Sequence, residues 1–354
     1  MIHPVSLLRR GVLLPVILTL TLAFACRAGS SSPPVPETAI IEAAGPTLPC
    51  PLFPADNVWN ARVDNLPLHP LSDDYIATIG RETTFHPDFG SGIWPPEDGG
   101  PIGIPYVVVP ADQPGVPIDF YYRDESDPGP YPIPPNPPIE GGPDSDGDRH
   151  ILIVQEGTCL LYEIYDAHPR SAGGWDAGSG AIFDLRSNSL RPAGWTSADA
   201  AGLPILPGLV RYDEVVLGEI AHALRFTAPE TQRAFVWPAR HFASDLVDKR
   251  FPPMGQRFRL RADYDLSEFD PAIQVILRAM QRYGIILADN GSAWYVSGVP
   301  DERWDNDVLH QLDRLTGADF EAVDTSGLMI DSDSGQAAIL DETAYVPSVA
   351  APSR

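Results

Sequence analysis

The chain has 354 residues, of which 44% are hydrophobic and 9% aromatic, and it carries a formal net charge of -24 at pH 7. The apolar content is typical of a folded globular protein. The strong negative charge would repel nucleic acids and anionic membrane surfaces. We therefore expect no nucleic-acid partner and favour neutral substrates, cations or positively charged partners.

The first 25 residues have the pattern of a secretory signal peptide. Arg9 and Arg10 precede an apolar run over residues 11–24, and small residues stand at the expected cleavage position. Cys26 follows at once, so the one membrane attachment that we expect is a lipid on Cys26. A freely secreted protein is the alternative. The lipid-anchored form and the freely secreted form both imply a bacterial protein that is secreted or held at the cell envelope.

Composition then divides the rest of the chain into three parts. Residues 26–48 are rich in Ser, Pro and Ala, which is typical of a tether. Residues 331–354 lack hydrophobic periodicity and are expected to form a disordered tail. Between them, residues 49–330 are predicted to form a single β-rich catalytic or binding domain.

The cysteines fit an exported protein. If Cys26 is lipidated or lies in the tether, Cys50 and Cys159 remain as a pair. In an oxidising compartment they could form one disulfide that closes a loop of about a hundred residues. Two separate buried thiols are the alternative.

The fold class follows from the prolines and from the length of the apolar runs. The 39 prolines argue against long helices, and they cluster in residues 95–143 as a long loop or edge-strand wrapping. Short strand-like runs surround this segment, separated by turn signals. The pattern predicts a mainly β domain, a β-sandwich or jelly roll with a few helices packed on one side.

Three later elements have clear local signals. Asp270 and Pro271 predict the start of a helix that Gly284 ends. The Asp-Asn-Gly turn at residues 289–291 predicts a hairpin between its flanking apolar runs. A shorter helix is predicted over residues 305–315.

One predicted hairpin gathers chemically active side chains. If residues 156–157 form a two-residue turn, His150 lies opposite Glu163 and Asp148 lies opposite Tyr165, all on one face. An acid, an imidazole, a second acid and a phenol at one strand end are a typical arrangement for proton transfer. A salt-bridged strand end is the alternative, and a one-residue change of register would separate the cluster.

A zinc site is the first of two metal hypotheses for this part of the sequence. His150, His222 and His241, with Asp148 or Glu163, offer the ligand types of a zinc site, although no close His pair supports it.

Asp144, Asp146 and Asp148 resemble a calcium loop, because closely spaced carboxylates supply the oxygen ligands that calcium prefers. The spacing is not that of an EF-hand, and a solvated acidic turn is the alternative. We expect no required cofactor and keep Ca²⁺ as a possible bound ion.

Substrate contacts are predicted from aromatic and basic residues in turn-like surroundings. Trp175, Trp195 and Trp294 stand in Gly-rich or turn segments, where exposed indoles give flat faces for sugar rings. Arg240 and His241 follow a predicted strand end, where binding sites are often built. Core packing is the alternative for each tryptophan.

Four sequence runs carry a resemblance. Residues 147–150 (GDRH), 194–208 (GWTSADAAGLPILPG), 222–226 (HALRF) and 288–295 (ADNGSAWY) are similar to runs in a widespread set of secreted bacterial proteins of no established activity. The resemblance covers most of residues 50–325. It implies export and a single large domain, and it transfers no catalytic residues.

The leading hypothesis is a secreted carbohydrate-active enzyme, a glycoside hydrolase acting on a polysaccharide or oligosaccharide. Such an enzyme needs one carboxylic acid with a raised pKa and a second carboxylate. The hairpin predicts Glu163 as the acid/base, tuned by His150, with Tyr165 beside them. The second carboxylate is Asp148 or Asp166, although Asp166 points to the other face in this register.

Three alternatives remain open from sequence. A polysaccharide lyase would use His150 or Tyr165 as the base and an arginine such as Arg225 or Arg240 to neutralise a uronate. A non-catalytic carbohydrate-binding protein of the cell surface would use the same cluster structurally. A metal-dependent hydrolase is the third. The sugar, its linkage and the oligomeric state are not predicted.

Overall fold

A computed structural model of the chain describes residues 48–97 and 99–338. The predicted signal peptide (residues 1–25), nearly all of the tether and residues 339–354 of the tail lie outside the described residues. None of the helices in the described ranges is long and apolar enough to cross a membrane.

The protein is mainly β, as predicted. Within the described residues there are fifteen strands, β1 to β15 in chain order: His86–Asp88, Ile93–Trp94, Gly100–Pro101, Tyr106–Val109, Ile118–Phe120, Ile151–Gln155, Leu160–Tyr165, His168–Pro169, Trp175–Ala177, Ser179–Asp184, Leu224–Ala228, Arg257–Leu260, Ile285–Asn290, Tyr295–Ser297 and Phe320–Ala322. The four α-helices of the same residues, α1 to α4, are Ser72–Ile79, Tyr212–Leu217, Pro271–Arg282 and Asn306–Leu309.

The strands form two larger and two smaller sheets. The larger ones have the orders β1-β14-β11-β13-β12-β15 and β10-β7-β6-β4, and the smaller ones are β5-β9-β8 and β2-β3. Both larger sheets mix parallel and antiparallel neighbours, since β1 and β14, β11 and β13, and β4 and β6 run parallel. A sandwich or jelly roll of antiparallel strands, the finer expectation, is not confirmed.

Strand β6 is buried on both faces, which explains its continuous apolar run. Leu152 and Val154 pack into the main core, to which both larger sheets and α3 contribute. Ile151 and Ile153 face a second core, which includes Tyr131 and other residues of the proline-rich segment. The proline-rich segment therefore covers the outer face of the four-stranded sheet β10-β7-β6-β4.

The predicted helix after Asp270 is confirmed as α3. The Asp270 side chain accepts a hydrogen bond from Ala272 N at 2.9 Å, and Pro271 is the first helical residue. The predicted helix over residues 305–315 begins as α4 and continues as the 3₁₀ helix His310–Arg314. These caps act within one turn, so the sequence is enough to predict them.

The predicted hairpin around residues 289–291 is wrong. Strands β13 and β14 do not pair with each other, because β11 lies between them, parallel to β13 and antiparallel to β14. The Asp-Asn-Gly turn instead carries the chain across the end of β11. This insertion brings Asp289 close to the Arg225 side chain of β11.

The two ends of the domain are fixed by distant contacts. The predicted disulfide between Cys50 and Cys159 is present, with the Cα atoms 5.6 Å apart and a sequence separation of 109. Residues 331–338, which the sequence assigns to the tail, are part of the fold. Ala337 N donates to Asp56 O at 2.8 Å, and Trp237 Nε1 donates to Ser334 O at 2.8 Å.

Candidate functional site

A cleft of about 470 Å³ opens at the ends of the two larger sheets. Tyr165 of β7 and Ser179 of β10 come from one sheet, and Asp289 and Asn290 of β13 come from the other. The remaining lining residues are Tyr122, Glu125, Asp148, Thr196, Ser197, Ala198, Asp199, Ala200, His241 and Ala243.

The four sequence runs that carry the resemblance meet at this cleft. Asp148 belongs to the first run, residues 196–200 to the second, and Asp289 to the fourth, and all of them line it. Arg225, from the third run, lies directly beneath and contacts both Asp199 and Asp289. The runs are far apart in sequence, so the sheet order is what brings them together.

The hairpin formed by β6 and β7 has a different register from the predicted one. Leu152, not His150, lies opposite Glu163, because the loop has four residues, 156–159. Cys159 closes this loop with a hydrogen bond from its N–H to Gln155 O at 3.0 Å and has a positive φ of 55°. A shift of two residues keeps every side chain on its face. His150 therefore still lies near Tyr165, with ring centroids 5.8 Å apart.

Glu163 does not reach the cleft, which corrects its assignment as the acid/base. Its side chain is 0% exposed, and its carboxylate accepts hydrogen bonds from Ile205 N (2.8 Å) and Leu206 N (2.9 Å). Burial raises the pKa of Glu163 to about 7, while the bonds from Leu206 and Ile205 oppose the rise. The carboxylate thus holds the backbone turn that begins the 3₁₀ helix Leu206–Gly208.

His150 lies behind the cleft wall as a positioning residue. Its Nδ1 is 2.6 Å from Glu140 Oε2 and its Nε2 is 3.0 Å from Ala198 O. A carboxylate and a carbonyl are both acceptors, so the buried ring donates from both nitrogens, as an imidazolium does. Burial alone would lower the pKa of His150, but the charge and hydrogen bond of Glu140 outweigh it and raise the pKa to about 9.

A buried ion-pair network supports the floor of the cleft. Arg225 Nε and Nη2 each donate to Asp199 at 2.8 Å, and Arg225 Nη1 donates to Ser297 Oγ at 2.6 Å. A longer bond of 3.3 Å joins Arg225 Nη2 to Asp289 Oδ2. Asp199 is therefore held in a bidentate pair, whereas Asp289, which lines the cleft, accepts from Arg225 at 3.3 Å and from Asn290 N at 2.7 Å.

Asp289 lines the cleft in an environment that favours its protonated form. Its side chain is 19% exposed. Burial, followed by the negative charge of Asp199, raises the pKa of Asp289 to about 7, against the opposing charge of Arg225. The sequence interpretation missed both aspartates, because it took the turn at Asp289 as a structural hairpin signal and did not single out Asp199.

Asp148 and Tyr165, two of the residues predicted to be catalytic, line the cleft. The Asp148 side chain is exposed, and its ligand-type oxygen lies within 4.8 Å of the corresponding atoms of Glu140 and His150. Burial raises the pKa of Tyr165. Asp148 does not group in this way with Asp144 or Asp146.

The acidic turn that was compared with a calcium loop is held by an arginine. Arg149 Nη1 donates to Pro143 O and to Ser145 O, each at 2.8 Å. Backbone carbonyls of this kind would be among the ligands of a calcium ion. The guanidinium therefore binds these two carbonyl oxygens, while the carboxylates of Asp144 and Asp146 stay exposed, and the calcium hypothesis stays a prediction.

The three histidines do not form the predicted zinc site. His222 Nε2 lies 3.1 Å from Glu214 Oε2, outside the cleft. His241 lines the cleft, with Nδ1 2.9 Å from Ala200 O and Nε2 3.8 Å from Glu125 Oε2. Among the described residues, the ligand-type groups that include His150 contain neither of the other two.

The predicted tryptophan contacts also lie elsewhere. Trp294 is 0% exposed and stacks between Phe226 and Phe320, because its indole closes the main core. Trp175 packs against the second core, and Trp195 covers Arg191 at 5.5 Å. Tyr122 does line the cleft, and its half-exposed ring can act there as an aromatic platform.

Arg240 is buried away from the cleft, which corrects its assignment to substrate binding. Its Nε donates to Arg191 O and its Nη1 to Ser332 O, both at 2.6 Å, and it pairs with Asp333. The side chain therefore holds residues 331–338 against the domain. His241, its neighbour in sequence, does reach the cleft.

The charge of the cleft is one-sided. Four carboxylates line it, those of Glu125, Asp148, Asp199 and Asp289, and its described lining residues include no lysine or arginine. The arrangement suits a neutral or cationic ligand better than an anionic one.

No protein-family model matches the chain, and neither curated proteins nor solved structures give a match.

Proposed function

We propose that this protein is a secreted glycoside hydrolase whose acid/base chemistry is carried by Asp289 and Asp148. The observation that carries the proposal is the meeting of these two carboxyl groups in one open cleft, one of them partly buried and one exposed. Glycoside hydrolysis needs such a pair in different environments.

Asp289 takes the role of the general acid. A general acid must keep its proton at the working pH and release it to the leaving oxygen. Burial and the neighbouring charge of Asp199 raise the pKa of Asp289 to about 7, which suits this role near neutral pH. Arg225, 3.3 Å away, would stabilise the carboxylate that forms when the proton leaves.

Asp148 takes the role of the second carboxylate, as a nucleophile or as the base that activates water. Its exposed side chain is open to a bound sugar and to solvent. His150 and Glu140 support the backbone around it.

The rest of the cleft fits a small stretch of glycan. Its volume of about 470 Å³ lies in the range of ligand pockets. Tyr122 offers an aromatic face, and Asn290, Thr196 and His241 offer groups that hydrogen-bond to hydroxyls.

The lyase alternative has weaker support. Elimination from a uronate needs a cation to neutralise the carboxylate. Arg225 is committed to Asp199, Ser297 and Asp289, and Arg240 is committed to Asp333 and backbone carbonyls.

Export is part of the proposal and is supported by the disulfide between Cys50 and Cys159. Disulfides persist in oxidising compartments outside the cytosol.

The test is an activity screen of the purified chain on neutral, cationic and uronate polysaccharides, with reducing ends and unsaturated-uronate absorbance read in parallel. The proposal expects new reducing ends without added absorbance, lost in Asp289→Asn and in Asp148→Asn. Asp146→Asn is the matched control, because Asp146 is an exposed carboxylate on the neighbouring turn. This variant should keep full activity. Binding of a glycan without any product would favour the non-catalytic alternative, and a requirement for a metal would favour the metal-dependent hydrolase.

A further inference from the structure

A second cluster of titratable side chains lies outside the cleft. His86 of β1 meets His310 and Asp313, which both belong to the 3₁₀ helix His310–Arg314. One ligand-type atom from each of the three residues lies within 4.8 Å of the other two. None of the three lines the cleft.

Asp313 contacts both histidines of this cluster through its carboxylate. Its Oδ2 accepts from His310 Nδ1 at 3.0 Å. Its Oδ1 is buried, and within the described part of the chain it has no hydrogen-bond partner. His86 Nδ1 lies 3.6 Å from this oxygen, which is too long for a hydrogen bond. A buried oxygen without a partner is unfavourable unless something else satisfies it.

The distances suit a shared cation. Two ligands of a tetrahedral zinc ion, each about 2.0–2.2 Å from the metal, stand about 3.3–3.5 Å apart. The His86 Nδ1–Asp313 Oδ1 distance of 3.6 Å and the His310 Nδ1–Asp313 Oδ2 distance of 3.0 Å lie on either side of this value, so each imidazole faces one oxygen of the carboxylate.

The fold holds the three residues in place. His86 is in register with Tyr295 across the parallel pair β1–β14, and the two rings are 4.4 Å apart. His310 and Asp313 are three residues apart on one helical turn, so their side chains lie on the same side.

We propose that His86, His310 and Asp313 form a binding site for a divalent transition metal of the zinc class. Two imidazoles and one carboxylate favour such an ion over calcium or magnesium, which take oxygen ligands. Three protein ligands leave a fourth position for water. The side chains are between 34% and 54% exposed, so an ion can reach them from solvent.

The test is a Zn²⁺ titration by calorimetry of the full chain, treated with chelator and produced without a polyhistidine tag. We expect one equivalent to bind, with the affinity lowered about tenfold or more in His310→Ala and in Asp313→Asn. Zn²⁺ should also raise the thermal midpoint of the wild-type chain and not that of His310→Ala. Because His310 is exposed, its replacement should leave the metal-free midpoint unchanged.

Two controls make the result specific to this site. His168 forms an exposed pair with Asp166 at 2.7 Å and belongs to no three-residue group of the described chain, so His168→Ala should bind Zn²⁺ like the wild type. Asp148→Asn, which changes a residue of the cleft, should also bind Zn²⁺ like the wild type. Unchanged affinity in His310→Ala, loss of binding in Asp148→Asn alone, or no binding by the wild-type chain would each overturn the proposal. None of these readouts depends on glycan hydrolysis.

Discussion

Arg225 forms a bidentate ion pair with Asp199 beneath the cleft, with Nε–Oδ2 and Nη2–Oδ1 distances of 2.8 Å. Both groups are buried, and the pair leaves Asp289 with only a longer contact of 3.3 Å to the same guanidinium. The cleft therefore contains one carboxylate that is firmly ion-paired and one that is placed to gain and lose a proton.

We expect Asp289→Asn to lower kcat on the substrate found in the screen by about 10²- to 10⁴-fold, the usual contribution of a general acid. The amide cannot donate a proton to the leaving oxygen, but it can keep the contact with Arg225. Steady-state kinetics with matched thermal midpoints would check this. Unchanged kcat in a folded variant would remove Asp289 from the mechanism.

The pH dependence of activity should report the same group. Because the pKa of Asp289 is raised to about 7, the protonated acid is lost as the pH rises through that value. We expect kcat/KM, measured from about pH 5 to about pH 9, to fall on the alkaline side with a midpoint near neutrality. A profile that stays flat to about pH 9 would contradict the assignment.

Removal of Arg225 should strongly destabilise the fold. Arg225→Gln leaves Asp199 buried without its partner, and breaking a buried pair in this way costs about 3–5 kcal/mol. Urea unfolding would measure the loss. Arg170→Gln is the matched control, because Arg170 pairs with Asp119 and Asp176 at the surface, and it should change the unfolding free energy much less. Equal effects of the two substitutions would contradict the prediction.

His150 should make the fold less stable at alkaline pH. Its pKa is raised from 6.5 to about 9, so the charged form stabilises the folded state. This contribution is complete below about pH 6.5 and is lost as the pH rises through about 9. The pKa values of Glu163 and Asp289 are raised to about 7, so the pH dependence that these two groups contribute is largely complete by about pH 8.

The measurement is the unfolding free energy in urea from about pH 7 to about pH 10, for the wild type and for Glu140→Gln. The variant removes the charge that raises the pKa of His150, so its curve should be flatter. Parallel curves for the two proteins would show that another group is responsible.

The disulfide should contribute substantially to stability. It closes a loop with a sequence separation of 109, for which chain entropy gives about 4–5 kcal/mol. Cys50→Ser/Cys159→Ser should therefore lower the unfolding free energy by about this amount in urea. Reductant should have a similar effect on the wild-type chain and none on the double variant. A difference below about 1 kcal/mol would contradict this estimate.

Several features could be predicted from sequence because their causes are local or compositional. Asp270 and Pro271 begin α3 through contacts within one turn, and the short apolar runs between turn signals predict a mainly β protein. Counting cysteines favoured the pairing of Cys50 with Cys159 over two separate thiols, and the structure confirms it.

The site was only partly predictable. Asp148, Tyr165 and His241 do line the cleft, but the assumed two-residue turn placed His150 opposite Glu163. The loop has four residues, because Gln155 pairs with Leu160 and Cys159 N–H donates to Gln155 O, and the Glu-Gly signal at residues 156–157 did not reveal this longer loop.

Glu163 and Trp294 show a second reason for the errors. Both residue types are suitable for a site, yet one carboxylate caps a backbone turn at Ile205 and one indole fills the core. Whether a polar or aromatic group is buried depends on which elements pack over it, and this is a property of the assembled layers.

The sequence by itself therefore determined the mainly β class and the helix that Asp270 begins, because these follow from composition and from hydrogen bonds between neighbouring residues. Only the tertiary structure decided that Asp199, Arg225 and Asp289 share one network, since β11 is inserted between β13 and β14. Strand order brings together residues that are 26 and 64 positions apart. Burial then sets which of their carboxyl groups can hold a proton.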